Sequence, residues 1–282
     1  MACITAATKL IALLGHPVAH SLSPAMQNAA LRVCGVPAVY LAFDVTPSNL
    51  PEAVGALRAL NALGANVTLP HKQAIIPLLD AVEPQAARIG SVNTVVNRDG
   101  HLVGHNTDSA GFLGVLRSQW HGSPSETGVL LLGAGGAARA VAAALADWGV
   151  AGLLLWNRTP QRAEELAQAV RNWGLRNCRV VTADGLREAA STAGLIINAT
   201  SAGICDPNVK DLGLADDIFH EGQFVMDLRY GGHTLVTAAR DSGAVVMDGW
   251  EMLVQQAVLS FELWTGAKAP GEAMRAAAPS AE

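Results

Sequence analysis

Residues 129–149 read VLLLGAGGAARAVAAALADWG. Four apolar residues, Val129 to Leu132, run into Gly133, and an alanine-rich segment of helical length then continues to a glycine stop at Gly149. Between them, GAGGAA (133–138) fits the pattern G-x-G-x-x-G/A, with Ala138 in the last place. The pattern alone is weak, because a glycine-rich chain produces it by chance and an empty turn of the same shape carries it too. Placed after a strand and before a helix, it has a mechanism. Gly133 permits the tight turn, Gly135 lets the backbone approach a pyrophosphate, and the small Ala138 keeps helix and strand close. The N–H groups at the helix start, near Gly135, Gly136 and Ala137, then face an anion. A β-α-β unit that binds a dinucleotide is the expectation.

Downstream, GLLLWNR (152–158) reads as the next strand and PQRAEELAQAVRNW (160–173) as its helix. An NAD site usually ends this second strand in an acid that binds the ribose hydroxyl, and an NADP site puts arginine there. Here Arg158 and Arg162 flank Thr159, with no carboxylate before Glu164. A 2′-phosphate suits two guanidiniums and a hydroxyl. Solvated cations at a helix start are the ordinary alternative, yet cations are slightly unfavourable at that end. NADP is the expected cofactor. GLIINATSAG (194–203) and QFVMDLRY (223–230) read as later strands, and EMLVQQAVLSFELWTG (251–266) as a long amphipathic helix ending at Gly266.

Upstream of the polar stretch SQWHGSPSETG (118–128) a separate α/β series is legible. LIALLG (10–15) and AVYLAFDV (38–45) read as strands. SPAMQNAALRVCG (23–35) reads as a helix with Ser23 as N-cap, Pro24 in the first turn and Gly35 as the stop. SNLPEAVGALRALNALG (48–64) reads as a helix closed by Gly64, ANVT (65–68) as a strand, and 91–108 as two strands joined at Asp99-Gly100. The expected fold is α/β in two domains. An N-terminal α/β substrate domain with a mostly parallel sheet spans 1–107 and is completed by C-terminal helices in 249–282. A Rossmann-type dinucleotide-binding domain spans 108–248.

Composition narrows the function classes. Half of the 282 residues are hydrophobic and 15% are charged, so large cores are available and disorder is excluded. A net charge of −5 without a basic block argues against nucleic acid. No apolar run approaches the ~20 residues of a membrane span. Cys3, Cys34, Cys178 and Cys205 are widely spaced, with no C-x-x-C pair, so no metal site is expected. A cytoplasmic protein, monomer or homodimer, acting on a small molecule is the expectation.

One cation is oddly placed. In NVTLPHK (66–72), Lys72 is the sole ionic residue between Arg58 and Asp80. A solvated surface lysine is the ordinary reading.

These stretches together resemble the shikimate dehydrogenase family over nearly the full length. The matching segments are GHPVAHSLSP (15–24), NVTLPHK (66–72), SVNTVV (91–96), GHNTD (104–108), GAGGAARA (133–140), NRTPQRAEEL (157–166), INATSAG (197–203), DLRY (227–230) and MLVQQA (252–257). The resemblance implies reversible, NADPH-dependent reduction of 3-dehydroshikimate to shikimate, in aromatic amino-acid biosynthesis. It makes Lys72 and Asp108 the catalytic pair. It gives the substrate to Ser21, Ser23, Asn66, Thr68, Asn93, Tyr230 and Gln256. To the cofactor it gives Gly133, Ala134, Gly135, Gly136, Ala137, Asn157, Arg158, Thr159, Arg162, Thr200, Leu228, Gly249 and Met252.

Bland roles compete at several positions. Ser23, Thr107 and Asp108 suit helix caps, Asn66, Asn93 and Asn106 suit turns, and Gln256 suits an exposed helix face. His16, His20 and His71 are expected to be structural or at the rim. The chain also departs from the family pattern. Trp250 and Glu251 stand where the commoner motif has a small or apolar residue and a glycine, Ser109 replaces a glycine, Ile204 replaces a methionine, and YGGHTL (230–235) lacks the usual prolines. Quinate or an amino analogue therefore stays open as the preferred substrate, and a non-catalytic dinucleotide sensor is the reading from another class.

Overall fold

The structure, a computed structural model, describes residues 4–200, 218–230 and 234–278. Cys3, Ile204, Cys205, the end of INATSAG and residues 231–233 of YGGHTL lie outside the described residues. The chain forms two compact units, one running to Gly111 and resuming at Leu253, the other Phe112–Met252.

The first unit opens with β1 (Lys9–Gly15), α1 (Ser23–Val33), β2 (Ala38–Asp44), α2 (Leu50–Ala59) and β3 (Gly64–Val67). After β4 (Ala81–Val82) and α3 (Pro84–Ile89), a hairpin of β5 (Thr94–Arg98) and β6 (His101–His105) leads into α4 (Asp108–Gln119). Sheet order is β2-β1-β3-β5-β6-β4. β1 is parallel to β2 and β3, and β4 to β6, while β5 runs antiparallel to both its neighbours. The hairpin turns at Asp99 (φ 52°) and Gly100 (φ 91°), the left-handed pair that a two-residue connection requires. Alternate β1 residues serve opposite faces: Ala12 and Leu14 join a core with Val54, Leu57 and Ile75.

One helix end differs from expectation. α2 stops at Ala59, and Asn61 takes the left-handed conformation at φ 49° that turns the chain. Asparagine tolerates that region, so the helix terminates before Gly64 is reached. Gly64 instead begins β3.

The second unit alternates strand and helix. It contains β7 (Gly128–Leu132), α5 (Gly136–Trp148), β8 (Gly152–Trp156), α6 (Pro160–Asn172), β9 (Cys178–Val180), α7 (Leu186–Thr192), β10 (Leu195–Asn198), β11 (Phe224–Asp227), α8 (Thr234–Asp241) and β12 (Val245–Met247). Its strands run in the order β12-β11-β10-β7-β8-β9, every pairing parallel. That is the doubly wound order 3-2-1-4-5-6, whose topological switch lies between β7 and β10. Val129 and Leu131 face a core with Val141, Leu145 and Leu166, while Leu130 and Leu132 face Leu186, Ala190 and Leu235. Both faces are covered, which explains why β7 reads as an unbroken apolar run.

The chain then forms α9 (Trp250–Thr265) and α10 (Gly271–Ala277). From Leu253 onward these residues belong to the first unit. Trp264 donates its indole N–H to the Val95 carbonyl at 2.9 Å. Gly64 lies directly beneath: a Cβ there would collide with the Val95 carbonyl oxygen and lie 2.7 Å from the Trp264 Nε1. Gly64→Ala is expected to destabilise this unit by about 1–3 kcal/mol, because backbone cannot retreat from the added methyl. Denaturant melts followed by tryptophan fluorescence check this, and an unchanged midpoint contradicts it.

Candidate active site

Lys72 is held from both sides along the backbone. Just before it, the buried His71 donates its Nε2–H to the Val45 carbonyl at 2.6 Å. The Lys72 carbonyl accepts the Val92 N–H at 2.8 Å, tying the loop to the segment that carries Asn93. The Lys72 ammonium lies 2.6 Å from Asp108 Oδ2, with the two side chains only 17% and 6% exposed. Asp108 is the first residue of α4, where a carboxylate complements the helix dipole. The helix is capped by Asn106, whose Oδ1 accepts the Ser109 N–H at 3.1 Å.

Asn93 completes the arrangement. Its Nδ2 donates to Asp108 Oδ1 at 2.9 Å and to Thr107 Oγ1 at 2.8 Å, and its Oδ1 accepts the Thr107 N–H at 2.8 Å. Both Asp108 oxygens are thus engaged. Burying an ion pair stabilises a fold little, since desolvation offsets attraction. A fixed, largely buried ammonium beside a carboxylate is nevertheless what positioned proton transfer requires. Lys72 is not a solvated surface cation.

Gln256, from α9, is buried rather than exposed, with its Oε1 3.4 Å from Asn93 Nδ2 and its Nε2 donating to the Leu253 carbonyl at 2.7 Å. One turn later, Ser260 donates to the Gln256 carbonyl at 2.9 Å and lies within 3.1 Å of Asn66, Thr94 and Thr107. Sequence reading passed over Ser260. Its signal was a serine on the apolar stripe, four residues after Gln256.

The serine-bearing segment differs from expectation at one point. Leu22, in the helical region, occupies the N-cap position of α1, and Ser23 lies inside the first turn. The Ser21 hydroxyl accepts the Ser23 N–H at 3.3 Å. Asn66 is buried, accepts from the Tyr40 hydroxyl at 2.8 Å, and donates to the Asn93 carbonyl at 3.0 Å. Its amide serves the interior of the sheet. Thr68 is half-buried, its N–H bound to the Leu14 carbonyl at 2.9 Å. His16, on the exposed rim, pairs with Asp44 at 2.6 Å. A separate hollow of about 410 Å³ is walled by Glu83, His105, Asn106 and Glu262, and neither Lys72 nor the serines line it.

In the second unit the glycine-rich turn follows β7 as the sequence implied. Gly133 has φ 111°, and a Cβ there would approach the Ala199 carbonyl to 2.9 Å, so the close crossing at the switch point needs glycine. Gly135 is the N-cap of α5, extended and without a side-chain cap, leaving the helix start open to an anion. Ala134 and Ala138 are buried, while Gly136 and Ala137 are partly exposed. Asn157 donates to the Thr159 carbonyl at 2.9 Å, and Arg158, Thr159 and Arg162 are all exposed at the start of α6. These residues fit a dinucleotide with a 2′-phosphate.

Beyond the ends of β10 and β11, a polar network was not anticipated. Asn198 accepts the Thr200 hydroxyl at 2.7 Å and donates to Asp227 at 3.2 Å, and Arg229 grips Asp227 from Nη2 at 2.7 Å. Polar residues closing two apolar strands were its signal. Leu228 and Tyr230 are half-buried, and Met252 is buried in this unit's core. Gly249 packs so closely on Leu228 that a Cβ would strike the Leu228 carbonyl.

Comparison with known proteins agrees with this architecture. Residues 13–95 match the shikimate dehydrogenase substrate binding domain, 116–212 the shikimate/quinate 5-dehydrogenase domain, and 249–278 the shikimate 5′-dehydrogenase C-terminal domain. A shikimate dehydrogenase (NADP(+)) of Moorella thermoacetica is 50% identical over 271 residues, 95% of this chain and 91% of that protein. The crystal structure of shikimate dehydrogenase from Aquifex aeolicus superposes with a TM-score of 0.90 at 39% identity, covering 98% of this chain and 100% of its own. Shikimate 5-dehydrogenase from Thermus thermophilus, solved in complex with NADP(H) and shikimate, gives 0.83 at 41% identity, covering 96% and 98%. With both units matched almost end to end, the chain belongs to the shikimate dehydrogenase family.

Proposed function

We propose that this protein is an NADP-dependent shikimate dehydrogenase, reversibly reducing 3-dehydroshikimate to shikimate. The observation that carries the reading is the largely buried Lys72–Asp108 pair, held by Asn93 beside Gln256. NADPH, when bound, supplies a hydride to the substrate carbonyl. The alkoxide that results needs a proton, and the Lys72 ammonium donates it while its charge stabilises the developing anion. Asp108 orients the ammonium and accepts from the neighbouring substrate hydroxyl. Ser21 and Ser23 bind the substrate carboxylate at the start of α1, where the helix N-terminus also favours an anion. Asn93, Thr68 and Gln256 hold the ring hydroxyls, and Tyr230 is the further substrate residue that the family resemblance implies. Asn66 supports them from within the sheet.

In the domain assignment we propose, the first unit holds the substrate. The second holds NADP through the Gly133–Ala137 turn and, at the 2′-phosphate, through Asn157, Arg158, Thr159 and Arg162. Thr200, Leu228, Gly249 and Met252 lie on the nicotinamide side of that cofactor site. We place the enzyme in the cytoplasm on its composition. Among the described residues no helix is long and apolar enough to cross a membrane.

Purified protein assayed with shikimate and quinate, each with NADP+ and NAD+, tests the reading. Shikimate with NADP+ is expected to give the highest kcat/KM. Faster turnover of quinate reassigns the substrate, and dinucleotide binding without turnover of either makes the protein a sensor.

A further inference from the structure

Ser260 sits on α9 and is completely buried. Around it in the first unit lie Asn66, Asn93, Thr94 and Thr107, each also buried. The direction of the hydrogen bonds among them follows from which atoms can only donate and which can only accept. The Asn93 amide nitrogen only donates, so Thr107 Oγ1 receives its N–H at 2.8 Å and turns its own proton elsewhere. The Gln256 carbonyl only accepts, so the Ser260 proton goes to it at 2.9 Å. Between these two, Ser260 Oγ stands 3.1 Å from Thr107 Oγ1 and accepts the Thr107 proton. A one-way chain results, from the Asn93 amide to Thr107, from Thr107 to Ser260, and from Ser260 to the Gln256 carbonyl. Thr94 Oγ1 at 2.8 Å and Asn66 Nδ2 at 3.1 Å close around the same serine oxygen and hold it in place. Thr94 is a poor substitute for it, because its Oγ1 lies 3.5 Å from Thr107 Oγ1, at the outer limit of a hydrogen bond.

We infer that Ser260 is a positioning residue for the proton-transfer pair. By taking the Thr107 proton it keeps a Thr107 lone pair turned to the Asn93 amide, whose nitrogen also donates to Asp108 Oδ1 at 2.9 Å. Asp108 holds the Lys72 ammonium at 2.6 Å from its other oxygen. Without the serine oxygen the Thr107 hydroxyl loses its near acceptor and rotates. The amide then loses a fixed partner, and the carboxylate that aims the ammonium is held less firmly. The inference rests on the proposed role of Lys72 and Asp108 in proton transfer. A misaimed proton donor is felt in the transition state, so kcat falls while KM for shikimate changes little. KM for NADP+ stays as it is, because the proposed cofactor residues belong to the other unit.

Ser260→Ala, Thr107→Val and the double variant, assayed with shikimate and NADP+, provide the test. Ser260→Ala is expected to lower kcat about tenfold, the worth of about one hydrogen bond, with both KM values within about threefold of wild type. Added to Thr107→Val, it should lower kcat by no more than about twofold, because the hydroxyl it orients is already gone. An unchanged kcat in Ser260→Ala overturns the inference, and so does a rise in KM for shikimate with no fall in kcat. The same kcat loss repeated in the Thr107→Val background also overturns it, placing the effect in the docking of α9 or in Asn66 and Thr94. Should Ser260→Ala not melt cooperatively, Ser260→Cys takes its place in the cycle, filling the same space with a weaker acceptor. Its kcat is then expected to fall about threefold alone and to change little beside Thr107→Val, and any other result overturns the inference. Absence of shikimate turnover in the wild-type protein would defeat the proposed function and this inference with it, whereas the other results leave that function standing.

Discussion

Lys72→Met lowers kcat about 10²–10⁴-fold, the range that general acid catalysis typically contributes. Methionine keeps an unbranched stem of similar reach and removes only the ammonium, so the fold and NADPH binding survive. KM for shikimate changes less, since the contacts proposed for Ser21, Ser23, Asn93 and Gln256 with the carboxylate and hydroxyls are untouched. The variant leaves Asp108 largely buried without its cation, although Asn93 still donates to Oδ1 at 2.9 Å. Asp108→Asn also lowers turnover, because an amide cannot orient the ammonium as a carboxylate does. The double variant loses less than the product of the single losses, since the pair at 2.6 Å acts as one unit. Steady-state and single-turnover rates, with circular dichroism and NADPH fluorescence on each variant, check this. Near-normal turnover in a folded, cofactor-bound Lys72→Met would return the lysine to an inert ion pair.

Removing Arg158 and Arg162 together weakens NADPH binding by roughly a hundredfold or more, about tenfold for each charge-assisted contact to the 2′-phosphate. NADH binding changes little, because its ribose carries a hydroxyl there. Both arginines are exposed at the start of α6, so the effect shrinks as salt rises. Titration of both nicotinamides at two ionic strengths separates this from a general weakening of the helix start. Equal losses for NADPH and NADH would assign the arginines to local structure.

Much of the fold was legible because its signals are local. The run from Val129 to Gly149 encodes strand, turn and helix through apolar periodicity and two glycines, and β7 and α5 form within it. The Asp99-Gly100 turn encodes its hairpin in the same way. Short elements escaped: β4 has two residues and β9 and β12 three each, too few for any period to register. The α7 and α8 helices went unread with them. The end of α2 was misplaced because Asn61 and Gly64 both suit a left-handed stop, and only the surrounding packing chose between them.

In the site, sequence by itself determined the residue types and their order: a lysine in a charge-poor segment, an acid at a helix start, and arginines after the second strand of the dinucleotide unit. It left Gln256 undecided between surface and interior, and it passed over Tyr40 and Ser260. Tertiary structure decided these, because their partners are distant along the chain: Tyr40 meets Asn66 across 26 positions and Ser260 meets Asn66 across 194. A local pattern reports which face of an element is apolar, since that follows from the backbone period. Which buried polar group satisfies which other depends on where separate elements come to rest, and only the packed sheet brings those atoms within hydrogen-bonding distance.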